Sequence, residues 1–293
     1  MTTDAAQDIL ITGLPRSGTT LTCHLLNKLA NCVALHEPID PATLAGLPPE
    51  ALGAALRQFC AAQRDQVLTR GTATSKAWHG RVPSNPMADA DAQGRRKRVL
   101  NGMELIVRNV DRADFRLFVK QNAFFTAALP MLTPSFRCFG ILRNPLAVLL
   151  SWRTAQMPVT EGRLPAAEWV DAGLAAAVAA EPDLLQRQFL LLDFCFAQYR
   201  RFLPGRTIRY EEIIRTGGAA LAVLAPAAAQ LSEPLQSRNL LGLRTDPAAR
   251  DIAARLLERD SPCWSFYDRA EVEALLTADQ PPIGSQYPAS SQS

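Results

Sequence analysis

The feature that most constrains this chain lies near its start. A short apolar run, Ile9 to Thr12, ends in Gly13-Leu-Pro-Arg-Ser-Gly18-Thr-Thr, and a helical pattern with Leu21, Leu25, Leu26 and Leu29 on one side follows. Strand, glycine-bearing loop and helix in that order aim loop N–H groups and the positive end of the helix dipole at one point. Such a point holds phosphate. The segment fits G-x-x-x-x-G-K-[ST] except that Thr19 stands where the loop lysine belongs, and Arg16 puts positive charge inside the loop instead. Without that lysine, which neutralises β- and γ-phosphates, ordinary nucleoside triphosphate chemistry loses its main cation. A strand–helix turn that binds nothing is the bland alternative, and both glycines and the flanking elements speak against it.

Further strands are expected at Cys32 to His36, Phe115 to Val119, Cys138 to Leu142 and Thr207 to Tyr210. Pro145 suits the first turn of a helix, and helical patterns run through residues 166 to 203. Residues 39 to 110 read as helix and loop. The alternation implies βαβ units: an α/β fold, one P-loop-type domain over residues 1–278 with a central, mainly parallel sheet flanked by helices. The last residues, 279–293, have the composition of a disordered tail. Ligands in such sheets bind beyond the carboxyl ends of the strands. The strand-closing residues are the Gly13 loop, Glu37, Lys120, Arg143 and Tyr210, so two cations, an anion, an anion-binding loop and an aromatic ring converge at one edge.

Bulk properties narrow the class further. With 31 basic and 28 acidic residues the net charge is only +3, which argues against nucleic acid as a partner and leaves room for a local anion site. The N-terminal residues lack a basic region followed by an apolar core, and no apolar run is long enough to span a bilayer, so neither a signal peptide nor a membrane helix is expected. The six cysteines are scattered without a C-x-x-C pair or Cys/His cluster; buried thiols in a cytoplasmic protein with no metal is the expectation.

Pro15-Arg16-Ser17-Gly18-Thr19-Thr20 after a strand resembles the 5′-phosphosulfate loop of sulfotransferases that use 3′-phosphoadenosine 5′-phosphosulfate (PAPS). Arg143-Asn-Pro-Leu-Ala-Val-Leu-Leu-Ser151 is similar to the same family's 3′-phosphate motif, an Arg at a strand end and a Ser eight residues on. Arg209-Tyr210-Glu211-Glu212-Ile213 is similar to the family's Y-E-[DE]-[LI] element, whose tyrosine lies near adenosine. The resemblance implies that Arg16 contacts the phosphosulfate, that the backbone from Ser17 to Thr20 cradles the 5′-phosphate, and that Arg143 and Ser151 hold a 3′-phosphate. The guanidinium fork suits a phosphate dianion. The product would be 3′,5′-adenosine bisphosphate, and the family needs no metal.

Sulfuryl transfer requires alignment, cations for the charge gathering on the bridging oxygen, and a base for the acceptor's hydroxyl proton. Many cytosolic members carry K-x-H at the third strand with His as base; this chain has Lys120-Gln121-Asn122. The protein-tyrosine sulfotransferases are more similar here. Their catalytic Glu stands at the end of the second strand, the same distance past the loop proline as Glu37, 22 residues after Pro15. Glu37 is therefore the candidate base, with Arg16 and Lys120 stabilising the sulfuryl group and leaving phosphate. His36 is the reserve base; side chains alternate along a strand, so only one of the two is expected to face the site. The run Arg95-Arg96-Lys97-Arg98 reads as a solvated face, Arg238 ranks low as a late-loop phosphate contact, His24 is expected to be packed or exposed, and Trp152, Trp169 and Trp264 are expected in core packing more than in an acceptor pocket.

The acceptor is a hydroxyl, either a peptide tyrosine or a small molecule such as a metabolite or carbohydrate. Its pocket is expected from residues 39–110 and 154–200. Two other classes stay open: a P-loop kinase using ATP and Mg²⁺, and a nucleotide-binding protein without chemistry. Oligomeric state is not legible.

Overall fold

A computed structural model describes residues 8–88, 96–97, 99–100, 102–240, 243 and 246–277. Five parallel strands form the central sheet: β1 (Asp8–Gly13), β2 (Cys32–His36), β5 (Arg116–Lys120), β6 (Arg137–Leu142) and β7 (Thr207–Arg209), in the order β2-β5-β1-β6-β7. A parallel sheet covered on both faces reads as continuous apolar sequence rather than alternation. Accordingly Ile9, Leu10 and Ile11 are buried, as are Val33, Ala34 and Leu35.

The flanking helices begin and end for local reasons. In α1 (Thr19–Leu26) the entering residue Gly18 is left-handed at φ 96°. A proline opens α2 (Pro49–Arg70), and Gly71 at φ 66° ends it. In α4 (Pro145–Thr154) Asn144 caps the first turn, its side chain accepting from Leu146 and Ala147 N–H. Between them lies α3 (Ala123–Leu132), which packs on β1. The apolar stretch at 166–203 divides into α5 (Pro165–Glu168), α6 (Ala172–Ala180) and α7 (Leu184–Phe202). Along α7, Phe189, Leu192, Phe196 and Tyr199 recur at helical spacing and are buried. The chain then forms α8 (Tyr210–Arg215), α9 (Ala249–Glu258) and α10 (Arg269–Thr277).

Three expectations need correction. Residues 39–110 contain strands as well as a long helix: β3 (Thr72–Ala77) and β4 (Gly102–Ile106) form a separate antiparallel pair. The Thr-Ala-Thr-Ser-Lys-Ala run of β3 alternates in burial, a period-two signal hidden by small residues on both faces. Tyr210 does not close a strand; it is the first residue of α8. Leu29 lies beyond the end of α1, although it is buried beside it. The tail at 279–293 lies outside the described residues, as do Arg95 and Arg98. Among the described residues no helix is long and apolar enough to cross a membrane, and all six cysteines are buried free thiols.

Candidate functional site

The carboxyl ends of β1, β2 and β5 meet in strict register: Lys120 is level with Ile11 on one side and with His36 on the other. A cavity of about 300 Å³ opens beyond them, lined by Arg16, Gly18, Thr19, Thr20, His36, Glu37, Lys120, Arg143 and Tyr210 among others. Most of the residues named from the sequence therefore share one space.

The loop after β1 holds two left-handed residues in three positions, Arg16 at φ 73° and Gly18 at φ 96°. Ser17 N–H closes the turn onto Leu14 O at 3.0 Å, and the helical ladder starts with Thr22 N–H to Gly18 O at 2.9 Å. The first-turn N–H groups of Thr19, Thr20 and Leu21 thus have no acceptor within α1 and sit at the positive end of its dipole. Gly18 is required by contact as well as by conformation: a Cβ there would lie 2.6 Å from the Tyr210 ring. Pro15, Ser17 and Ser151 are not among the residues that line the cavity. Pro15 O accepts from the buried Trp152 indole at 2.8 Å, Ser151 Oγ accepts from Arg16 Nε at 3.2 Å, and Ser17 Oγ is buried without a hydrogen-bond partner.

Arg143 joins the loop to a late segment of the chain. Its Nη1 donates to Arg16 O at 2.9 Å, its Nη2 to Arg238 O at 2.8 Å and its Nε to Asn239 Oδ1 at 2.8 Å. A guanidinium has five N–H groups, so one on each Nη is left for a ligand. The Tyr210 ring lies 4.9 Å from the Arg143 guanidinium, and Tyr210 Oη accepts from Arg238 N–H at 3.1 Å. Glu211 anchors the arrangement from behind, accepting from Asn144 N–H, Asn239 Nδ2 and Tyr267 Oη at 2.9, 2.8 and 2.9 Å.

The electrostatics are those of a cationic basin. Burial, then the guanidiniums of Arg143, Arg96 and Arg238, pushes Arg16 down to about 9. Burial also lowers Arg143. Arginine in practice keeps its proton, so this strain would be relieved by a bound anion. Arg238 enters the site, and Arg96 acts on Arg16 from outside the cavity lining, contrary to the weight the sequence gave them. Arg238 lines the cavity, and Arg96 is tied by its N–H to Thr154 O at the end of α4. Neither is signalled locally, because a loop position and a basic run look alike wherever they fold.

At the other side of the cavity Lys120, 1% exposed, donates to Glu37 Oε1 at 2.9 Å and lies 3.2 Å from His36 Nε2. The expectation that only one of His36 and Glu37 faces the site is overturned: both line it. The strand ends at His36, and Glu37 adopts φ 45°, which abolishes the alternation. Thr20 Oγ1 is 3.0 Å from His36 Nε2, linking the phosphate loop to this cluster. Lys76, from β3, was not foreseen and contacts Glu37 Oε2 at 3.3 Å. Asn122 lines the cavity near Lys120. Outside the site, His24 bonds Val82 O at 2.9 Å, Trp169 is exposed, and neither Trp152 nor Trp264 reaches the cavity. Among the described residues no group of three His, Cys, Asp or Glu side chains comes together as a metal site.

No family model and no curated protein matches the sequence. Among solved structures, the chain is similar to the sulfotransferase STF9 of Mycobacterium avium (16% identity, 88% of this chain and 78% of that one, TM-score 0.37). It is also similar to the sulfotransferase domain of the Synechococcus olefin synthase (14%, 95% and 90%, TM-score 0.35). The sulfotransferase STF1 of Mycobacterium tuberculosis gives 15% identity over 85% of this chain and 76% of that one, with a TM-score of 0.35.

Proposed function

We propose that this chain is a sulfotransferase that moves a sulfuryl group from PAPS to an acceptor hydroxyl and releases 3′,5′-adenosine bisphosphate. The observation that carries the reading is that one cavity joins the cationic basin of Arg16, Arg143 and Arg238 to the Glu37–Lys120 pair. The first half suits a nucleotide bearing phosphates at two places; the second suits proton removal from an acceptor. PAPS supplies an activated sulfuryl group on a phosphate leaving group, and the rest falls to the chain's own residues.

The N–H groups at the start of α1, from Thr19 and Thr20, bind the 5′-phosphate. Arg143, with its two remaining N–H groups, and Arg238 bind the 3′-phosphate, and the Tyr210 ring flanks the adenosine. Arg16, held by Ser151, and Lys120 offset negative charge on the sulfuryl group and the bridging oxygen. Glu37 accepts the acceptor's proton. A peptide tyrosine and a small-molecule hydroxyl both remain acceptors to be screened.

The test has two stages. Adenosine 3′,5′-bisphosphate without metal is expected to raise the melting temperature; stabilisation by ATP–Mg²⁺ alone would overturn the reading. A screen of phenols, peptides and saccharides with labelled PAPS then identifies the acceptor. Glu37→Gln is expected to lower kcat by about 10²–10⁴ while leaving bisphosphate affinity within about twofold.

A further inference from the structure

Glu37 is held by two ammonium groups that differ in kind. Lys120 belongs to the central sheet; its side chain is 1% exposed and it donates to Oε1 at 2.9 Å. Lys76 belongs to the separate β3–β4 pair; its side chain is 31% exposed and it reaches Oε2 at 3.3 Å. β3 is docked onto β2 beside the site, where His36 N–H donates to Ser75 Oγ at 2.9 Å, so Lys76 is delivered to Glu37 by tertiary packing. Other titratable neighbours include His36, through Lys120, and Cys23 on α1. Burial pushes the Cys23 thiol up to about 12, so it stays neutral.

We propose that Lys76 is a positioning residue for Glu37: it keeps the carboxylate ionised and oriented, and it occupies at Oε2 the place that the acceptor hydroxyl takes when it binds. This rests on the reading of Glu37 as the base. A hydroxyl that surrenders its proton needs a carboxylate oxygen within about 3 Å. Oε1 exchanges less easily, because Lys120 is 1% exposed, holds it at 2.9 Å and has no open path to water for its ammonium. Oε2 does, because Lys76 is partly exposed, its contact is longer, and its flexible stem can carry the head group into water. In the transfer step the acceptor O–H bond breaks and its proton goes to Oε2. The acceptor oxygen bonds to sulfur, the bond from sulfur to the bridging oxygen breaks, and that electron pair stays on the nucleotide phosphate. Lys76 re-forms its pair when Glu37 gives up the proton.

The experiment compares wild type, Lys76→Met and Lys76→Arg. The ¹³C NMR titration of the Glu37 carboxylate is read on the protein alone, and the acid limb of kcat/KM is read with PAPS and an acceptor. Removing the neighbouring positive charge in Lys76→Met is expected to raise the Glu37 midpoint by about one pH unit and to move the acid limb the same way. Lys76→Arg, which keeps the charge, is expected to restore both. A midpoint within roughly 0.2 unit of wild type in Lys76→Met overturns the proposal and leaves the sulfotransferase reading standing. A shifted Glu37 midpoint in Lys76→Met, together with a wild type that transfers no sulfuryl group, refutes the transfer reading, and with it the role at Oε2.

Discussion

Replacing Gly18 with alanine tests the geometry of the phosphate loop at its tightest point. Gly18 has φ 96°, where an L-residue with a Cβ costs about 1–2 kcal/mol. The new Cβ would also stand 2.6 Å from Tyr210 Cδ2, so the ring must retreat by about 1 Å to reach ordinary contact. It cannot do so freely, since it is 4.9 Å from the Arg143 guanidinium and its hydroxyl holds Arg238 N–H at 3.1 Å. Loosening those contacts adds about 1–2 kcal/mol. The expected total, about 2–4 kcal/mol, corresponds to a fall in melting temperature of roughly 3–7 °C for a chain of 293 residues. Calorimetry should show bisphosphate affinity reduced at least about tenfold, because the first-turn N–H groups move with Gly18. A double-mutant cycle separates the two contributions. In a Tyr210→Ala background the steric part vanishes, so Gly18→Ala should cost only its backbone share of about 1–2 kcal/mol. Equal cost in both backgrounds would refute the claim that the ring enforces glycine here.

Two other expectations concern single groups. Ser17 Oγ is buried, unpartnered and not part of the cavity lining, so Ser17→Ala should leave bisphosphate affinity unchanged and stability equal or higher by up to about 1 kcal/mol; a weakened affinity measured by calorimetry would show that the hydroxyl takes part in binding. Burial holds His24 below its ordinary 6.5, so on acidification the unfolded chain takes up a proton that the folded one still refuses. Stability should therefore decline as pH falls below about 6.5, and denaturant melts between about pH 7 and about pH 5.5 should show a smaller decline in His24→Asn; identical slopes would count against this assignment.

The legible part of this protein is the part written in short range. The continuous apolar strands around Ile9, Val33 and Cys138 announce a buried parallel sheet, and Asn144-Pro145 announces the helix after β6. The Gly13–Thr20 loop carries its own chemistry, because free N–H groups at a helix start are a local property. From the rule that ligands gather at strand ends, Glu37, Lys120 and Arg143 could be assigned to one edge before any contact was known.

What tertiary structure alone decided is which way those side chains turn and who joins them. His36 and Glu37 share the cavity because Glu37 leaves the strand at φ 45°, a single dihedral that no periodicity encodes. Lys76 meets Glu37 across 39 residues of sequence, and Arg143 meets Asn239 across 96. Ser17, central in the loop motif, ends up buried and outside the cavity lining, while Arg238, in an unpatterned segment, reaches the cavity. Hydrophobic period and turn chemistry report how each segment packs on the core. They carry no information on which distant polar groups that packing brings within 3 Å of one another.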